Sequence, residues 1–425
     1  MTKNLISPAE KRKSFGKDRV TACRICQSQI IPFINFGNMP LANGFLTPAQ
    51  FAEEYFYPLE CSVCSSCWMV QLSHQPDPEW MFHSNYPFFT GTSQRMSNHF
   101  RALADTIMSH YLDQQKDPFI LEIGSNDGTF LKHFSKKSIR TLGIEPSASV
   151  AERSRNLGIP TLQKFFDAEV AESILKEHGQ PHVIYAANAL CHIPDLAGTF
   201  EAIQKLMHPQ GILIFEDPYL PSVLEKTAYD QIYDEHVYLF SLHSVSNLAK
   251  RYGFEVFDAQ QLDTHGGSMR YFLSRQARKQ LYDDLWSLTV SEKNFHLDEI
   301  ATYMKFSGAC ETSRTTLKSL LLNLKQEGKS IAGYAATSKS TTVLNYCGID
   351  KSLIDFIADS TPEKQGKLTP GSHIPIVSPD YFQSNYPDYA LLFGWNHLEE
   401  ISGKEQTFQK AGGRWIVYVP KVQVI

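Results

Sequence analysis

With 425 residues, the chain is longer than one ordinary hydrophobic core organises, so two to four domains are expected. A composition 42% hydrophobic and 20% charged is that of a globular protein, and a net charge of −5 excludes a general attraction to phosphate backbones or anionic membranes. Apolar runs such as YALLFGW are too short to span a bilayer, and the polar, basic N-terminus lacks the apolar stretch of a secretory signal, so a cytoplasmic location is expected.

The first chemical signal is a pair of knuckles, Cys23-Arg-Ile-Cys26 and Cys64-Ser-Ser-Cys67. Each C-x-x-C turn offers two thiolates from one side, and two such turns close tetrahedrally on one ion. Zinc and iron both suit four thiolates; a structural zinc is the expectation for a small segment with little core of its own. Unpaired buried cysteines are the alternative. Cys61, beside the strand-like Tyr57-Pro-Leu59, reads as a non-ligand. Pro32 to Pro48 reads as loop, punctuated by Gly37, Pro40 and Gly44.

A helical pattern through Met96 to Leu112 leads to Phe119-Ile-Leu-Glu-Ile-Gly-Ser-Asn-Asp-Gly-Thr-Phe-Leu131, a strand, a glycine turn and a helix start. The next strand ends in Glu145-Pro146, an acid placed to accept from the ribose hydroxyls of a nucleoside. The loop is not the G-x-G-x-x-G of dinucleotide binders. Its E-x-G-x-x-x-G form, on Glu122, Gly124 and Gly128, resembles that of S-adenosylmethionine (SAM) methyltransferases. A third strand, Val183 to Asn188, and a fourth, Gly211 to Asp217, follow. Ligands bind beyond the carboxyl ends of such strands, which directs Asn188 and His192 to the cofactor crevice, although His192 also suits a structural helix start.

Past the fourth strand, Tyr233-Asp-Glu-His236 gathers a phenol, two carboxylates and an imidazole. Alone, this would be a solvated loop end; over the crevice of the same sheet, it reads as catalytic. The pieces Phe254 to Phe257 and Met269 to Leu273, joined by Thr264-His-Gly-Gly-Ser268, suggest a closing hairpin. Gln276 to Gly328 is mostly helical. Strands at Ser330, Phe356, Ala390 and Trp415, alternating with helices, predict a second parallel sheet.

In this order the marks resemble the sugar C-methyltransferases, which methylate a carbon of nucleotide-linked 4-keto-6-deoxyhexoses. They are the two knuckles with Met69-Val-Gln-Leu72, the Glu122 to Leu131 loop, Gly143-Ile-Glu-Pro-Ser147, Asn188-Ala-Leu-Cys-His-Ile-Pro194 and Phe215-Glu-Asp-Pro-Tyr219. Tyr233-Asp-Glu-His236, Thr264 to Ser268, Asn345-Tyr-Cys-Gly-Ile349 and Lys364-Gln-Gly366 with Pro370 to Pro375 complete them. The resemblance covers nearly the whole chain. It implies an α/β protein with a small zinc-binding N-terminal domain (1–82), a class I SAM-methyltransferase, Rossmann-like core (83–275) and a C-terminal Rossmann-like domain (276–425) completing a sugar-nucleotide site.

The carry-over implies a catalytic region at Tyr233, Glu235 and His236, with His192 and Tyr86 nearby; by their chemistry His236 is expected as base, Tyr233 as donor to an enolate oxygen and Glu235 as a carboxylate orienting a neighbouring imidazole. For SAM it implies Glu122, Gly124, Asn126, Asp127, Gly128, Glu145, Pro146 and Asn188. Phe165 and Phe166 either flank the adenine or pack in the core. His265, Arg270 and Lys339 are candidates for a diphosphate or are plain surface residues. Two departures stand out: Trp68 where relatives carry glycine, and the turn Gly333-Tyr-Ala-Ala-Thr-Ser-Lys-Ser340, with Ala335 and Ser340 at expected glycines. Side chains there narrow the approach to the backbone, so a nucleotide or pose other than thymidine diphosphate is expected. Methylation is expected at C3, with C5 as the alternative, on a small-molecule nucleotide sugar, by a monomer. The rival readings are a zinc-ribbon nucleic-acid methyltransferase, disfavoured by charge, a small-molecule O- or N-methyltransferase, and a non-catalytic binding protein.

Overall fold

The structure, a computed structural model, describes residues 19–82, 89–282 and 285–425. Tyr86 lies outside them.

The N-terminal unit is a small antiparallel sheet. Strand β1 (Ile30–Pro40) pairs with β2 (Phe56–Cys64), and β2 with β3 (Val70–Leu72). The expected loop from Pro32 is therefore corrected: β1 continues to Pro40. Gly37, at φ +81°, takes up a register shift between Asn35 and Asn38, so the turn-forming residues bend a strand instead of ending one. Cys61 pairs with Leu72 inside this sheet, away from the knuckle turns.

The second unit begins with the helix Gln94–Tyr111. Its parallel strands are β4 (Phe119–Ile123), β5 (Arg140–Ile144), β6 (Thr161–Leu162), β7 (Val183–Ala187) and β8 (Ile212–Pro218). Next, β9 (Tyr238–Leu239) leaves this unit to pair with β3, extending the N-terminal sheet to four strands. The expected hairpin follows as β10 (Glu255–Leu262) and β11 (Ser268–Ser274), with β11 antiparallel to β8. The seven strands lie in the order β10-β11-β8-β7-β4-β5-β6. The chain reverses its direction of advance between β4 and β7, and that switch point opens a crevice at the strands' carboxyl ends.

The helix Ile300–Gln326 leads to a third unit. Strands β12 (Ile331–Tyr334), β13 (Ile357–Ala358), β14 (Ile376–Val377), β15 (Tyr389–Leu392) and β16 (Arg414–Val417) are parallel, and β17 (Gln423–Val424) closes the sheet antiparallel to β16. Their order, β14-β13-β12-β15-β16-β17, puts a second switch point between β12 and β15. Among the described residues no helix is long and apolar enough to cross a membrane.

The N-terminal sheet is a wedge between the other two units. Cys23, Cys64, Cys67 and Met69 share a core with Phe215 and Tyr271 of the second unit. On the other side, Phe33, Tyr57 and Leu59 share a core with Tyr303, Phe306 and Ile331. The Phe33 ring lies 5.2 Å from that of Tyr303.

Candidate active site

The two switch points face one cavity of about 1370 Å³. That exceeds the ~300–1,000 Å³ of a typical single-ligand pocket and leaves room for two ligands side by side.

On the side of the second unit, the turn after β4 supplies the wall. Gly124 sits at φ +71°, and a Cβ there would come 2.7 Å from that of Ala189. Gly124, Ser125 and Asn126 line the cavity. Glu145, just past β5, accepts from the backbone N–H of Asn126 at 3.1 Å and of Ser147 at 2.8 Å. Burial raises its pKa, and those bonds partly offset it. Glu122 is buried, with an Oε2 that has no hydrogen-bond partner. Burial, with Asp127, Glu145 and Glu216 nearby, pushes its carboxyl well above the ordinary range. An acid at the second strand, a close backbone approach and an orphaned buried carboxylate oxygen fit the ribose, the chain and the ammonium end of SAM. Pro146, Phe166 and Asn188 join this wall, and Phe165 does so while 40% exposed.

Asp127 and Gly128, expected at the cofactor, serve the loop instead and lie outside the cavity lining. Asp127 accepts from the Gly91 N–H at 2.9 Å and from the Thr129 hydroxyl at 2.6 Å. A Cβ on Gly128 would come 2.6 Å from Ser154 Oγ, so this glycine permits close packing.

The stretch Tyr233 to His236 lies between the two walls. His236 Nδ1–H donates to the Gln231 carbonyl at 2.7 Å, which fixes the tautomer and leaves the lone pair on Nε2. The Tyr233 hydroxyl donates to Nε2 at 3.0 Å. Burial pushes His236 well below the ordinary imidazole range, and His192, Lys339 and His265 push the same way. The His192 ring stacks 5.3 Å from that of His236; its Nε2 has no partner, and burial lowers it to about 3. Cys191 Sγ comes within 4.8 Å of both rings' ligand nitrogens. Burial beside Asp217 holds that thiol far above its usual range, hence neutral. Glu235, expected to orient the imidazole, is corrected: the Gln231 carbonyl and the Tyr233 hydroxyl take the two ring nitrogens of His236, and Glu235 lines the cavity, accepting from Asn43 Nδ2 at 2.6 Å.

The third unit supplies cations. Lys339, near the start of the helix Ser338–Cys347, reaches the His265 carbonyl at 3.4 Å. Burial lowers its pKa and Asp230 partly restores it. His265 stands at φ +54°, 3.3 Å from Asn188 Nδ2, and burial with Lys339 nearby lowers it to about 3. Arg270 is corrected: it is not at the cavity but buried in an ion pair with Glu216, 2.9 Å away, with His99 and Gln260 as further partners. Strand β11 is buried along its whole length, so its alternation gave no face to choose between. Lys364, quoted above only as a motif residue, does line the cavity, donating to the Ala336 carbonyl at 2.9 Å and standing 5.0 Å from the Phe45 ring centre. Its position beyond the end of β13 was the available signal.

Two of the odd positions share a backbone cause. Trp68 and Ala335 sit at φ +59° and +70°, the left-handed region glycine enters freely. Ser340 is ordinary helix, its N–H bonded to the Thr337 hydroxyl at 3.2 Å.

The four knuckle sulfurs lie within 4.8 Å of one another, with Cys23–Cys67 at 3.6 Å and Cys26–Cys64 at 3.4 Å. Backbone N–H groups of Ile25, Ser66 and Cys67 point at Sγ atoms at 3.4 Å. This donor set fits one tetrahedral zinc with no position left open.

Three family models match in sequence order: a zinc-binding domain over 23–82, a methyltransferase domain over 96–259 and a C-methyltransferase C-terminal domain over 263–420. The chain is 32% identical over 409 residues to C-methyltransferase NovU of Streptomyces niveus, covering 96% of this chain and 97% of that one. Among solved structures it is similar to the SAM-bound magnesium protoporphyrin IX methyltransferase of Synechocystis, 10% identical, TM-score 0.32, over 47% of this chain and 89% of that one. It is also similar to the CcbJ methyltransferase of Streptomyces caelestis, 12% identical, TM-score 0.32, over 42% and 90%.

Proposed function

From its membership of the sugar C-methyltransferase family, to which this chain belongs, we propose that this SAM-dependent methyltransferase acts on C3 of a nucleotide-linked 4-keto-6-deoxyhexose. The observation that carries the reading is the position of the Tyr233–His236 pair between a SAM-type wall and a cationic one.

Carbon is a poor nucleophile unless a neighbouring carbonyl acidifies its C–H. The 4-keto oxygen draws the Tyr233 hydroxyl off Nε2, and the freed lone pair takes the C3 proton. The C–H electron pair moves into the enolate, whose oxygen the phenol stabilises. When bound, SAM supplies the electrophilic methyl. Glu145 holds the ribose hydroxyls, Glu122 the ammonium, and Lys339 and Lys364 the diphosphate. His192 lies beside the dyad, able to share the oxyanion role. Zinc on Cys23, Cys26, Cys64 and Cys67 would hold the N-terminal unit together, on residues that do not line the cavity.

The test is mass spectrometry of the protein with SAM and a panel of 4-keto-6-deoxyhexoses on thymidine and guanosine diphosphate carriers. One methyl gained on one member, with deuterium lost at C3, supports the reading. Loss at C5 moves the site of methylation. No methylation of any member, with SAM bound, removes the substrate class.

A further inference from the structure

The segment after β1 leaves the zinc-bearing sheet and enters the cavity. The Gly44 N–H closes a turn onto the Leu41 carbonyl at 3.0 Å. The turn is gripped from both sides. The Ala42 N–H donates to Asp234 Oδ2 at 3.1 Å, and the Ala42 carbonyl accepts from the Thr341 hydroxyl at 2.9 Å. At its tip, Asn43 Nδ2 donates to Glu235 Oε1 at 2.6 Å, while Ser338 Oγ donates to Asn43 Oδ1 at 3.1 Å. A carboxylate only accepts and a hydroxyl can donate, so these two partners define which way the amide faces. Asn43, Glu235, Ser338 and Lys339 all line the cavity.

We infer that Asn43 is a positioning residue of the methyl-transfer site: one amide fixes the Glu235 carboxylate beside His236 and ties it to the helix turn that carries Lys339. The segment after β1 thereby sets the register between the loop that carries Tyr233, Glu235 and His236 in one α/β unit and the cation of the other. A charge-assisted bond is short and directional, which suits this task. Misplacement of a catalytic group by about 1 Å can cost on the order of 10²-fold in rate. The catalytic consequence rests on the function proposed above; the bridge itself does not.

The experiment compares Asn43→Ala, Asn43→Asp, Glu235→Gln and the two double variants. Wild-type turnover on the 4-keto panel is read first. With turnover in hand, Asn43→Ala is expected to lower kcat on the order of 10²-fold, with SAM affinity by calorimetry unchanged and most of the loss absent in the Glu235→Gln background. Asn43→Asp keeps the shape but sets carboxylate against carboxylate. Its loss is expected to deepen as pH rises and to ease as pH falls, because protonating one of the pair restores a donor. Rate losses that multiply independently, or an Asn43→Asp loss that ignores pH, overturn the inference, since a plain strut would give both. Should Asn43→Ala fail to fold, the isosteric Asn43→Asp and Glu235→Gln pair carries the same cycle. Without wild-type turnover the substrate reading falls, and melting temperatures at pH 8 decide the bridge: Asn43→Asp should lower the melt more in the wild-type than in the Glu235→Gln background, and equal lowering overturns it.

Discussion

His236 is held by two contacts of opposite sense: it gives one proton to a backbone carbonyl and receives a hydrogen bond from a phenol. Only Nε2 can act as base, and the Tyr233 hydroxyl covers it until a better acceptor arrives. His236→Asn is therefore expected to lose turnover by about 10²–10⁴-fold while calorimetry shows SAM binding intact; an active variant would remove His236 from the role. The pH profile follows from burial. A base works when unprotonated, and His236 is pushed well below the ordinary imidazole range, by burial first and by His192, Lys339 and His265 after it. Its neutral form then persists to lower pH than a free imidazole would allow. The acid limb of kcat/KM is expected below the ~6.5 of an unperturbed histidine, and a limb at or above that value would assign it to another group. Tyr233 and His236 were legible in the sequence because four proton-handling side chains sat just past a strand. The Gln231 carbonyl that fixes the tautomer was not, since a backbone acceptor leaves no mark in residue type.

The turns after β4 and β12 occupy equivalent places in their sheets yet solve the backbone problem differently. Gly124 takes φ +71° without a side chain, whereas Ala335 takes φ +70° with one. A methyl on Gly124 would meet Ala189 at 2.7 Å and add left-handed strain of about 1–2 kcal/mol. Gly124→Ala should weaken SAM binding about tenfold or more, read by calorimetry, and unchanged affinity would place the methionine end elsewhere. Ala335→Gly is the converse. Relief of about 1–2 kcal/mol, less about 0.5–1 kcal/mol of glycine's extra chain entropy, leaves a small net stabilisation in denaturant melts. The same change should alter KM for the nucleotide sugar and leave SAM affinity alone. Both loops were readable because an apolar run, a small-residue turn and a helix start are local patterns. Strand β1 was not. Its prolines and glycine mimic a loop, and only pairing with β2 across a shifted register makes it a strand. Arg270 failed for a related reason: a strand covered on both faces has no polar side to mark where a charge points.

The zinc-bearing sheet holds the whole molecule together although it contains none of the transferring groups. Strand β9, just after His236, is its fourth strand, and the Leu72 N–H bonds the Val237 carbonyl at 2.8 Å. The same sheet packs on the helix Ile300–Gln326 through Phe33 and on the second unit through Met69. The order of three units was readable from the spacing of cysteines and glycine loops, but the insertion of β9 was not, because Tyr238 and Leu239 carry no sign of a partner strand so far back in the chain. Structural zinc contributes apparent binding energy on the order of 10 kcal/mol, and on these four cysteines it would steady the sheet that β9 joins just after His236. Removing the metal with a strong chelator, or replacing Cys26 by Ser, is expected to lower the melting temperature and abolish methyl transfer together. SAM binding should suffer less, since Gly124 and Glu145 directly follow strands that the N-terminal sheet does not pair with. Zinc content, melting temperature, SAM affinity and turnover measured on the same samples separate the cases. Turnover lost in step with zinc while SAM still binds fits a structural metal acting through β9. Turnover that survives zinc loss would detach the sheet from catalysis, and a metal-free protein that melts like wild type yet is inactive would give zinc a chemical role.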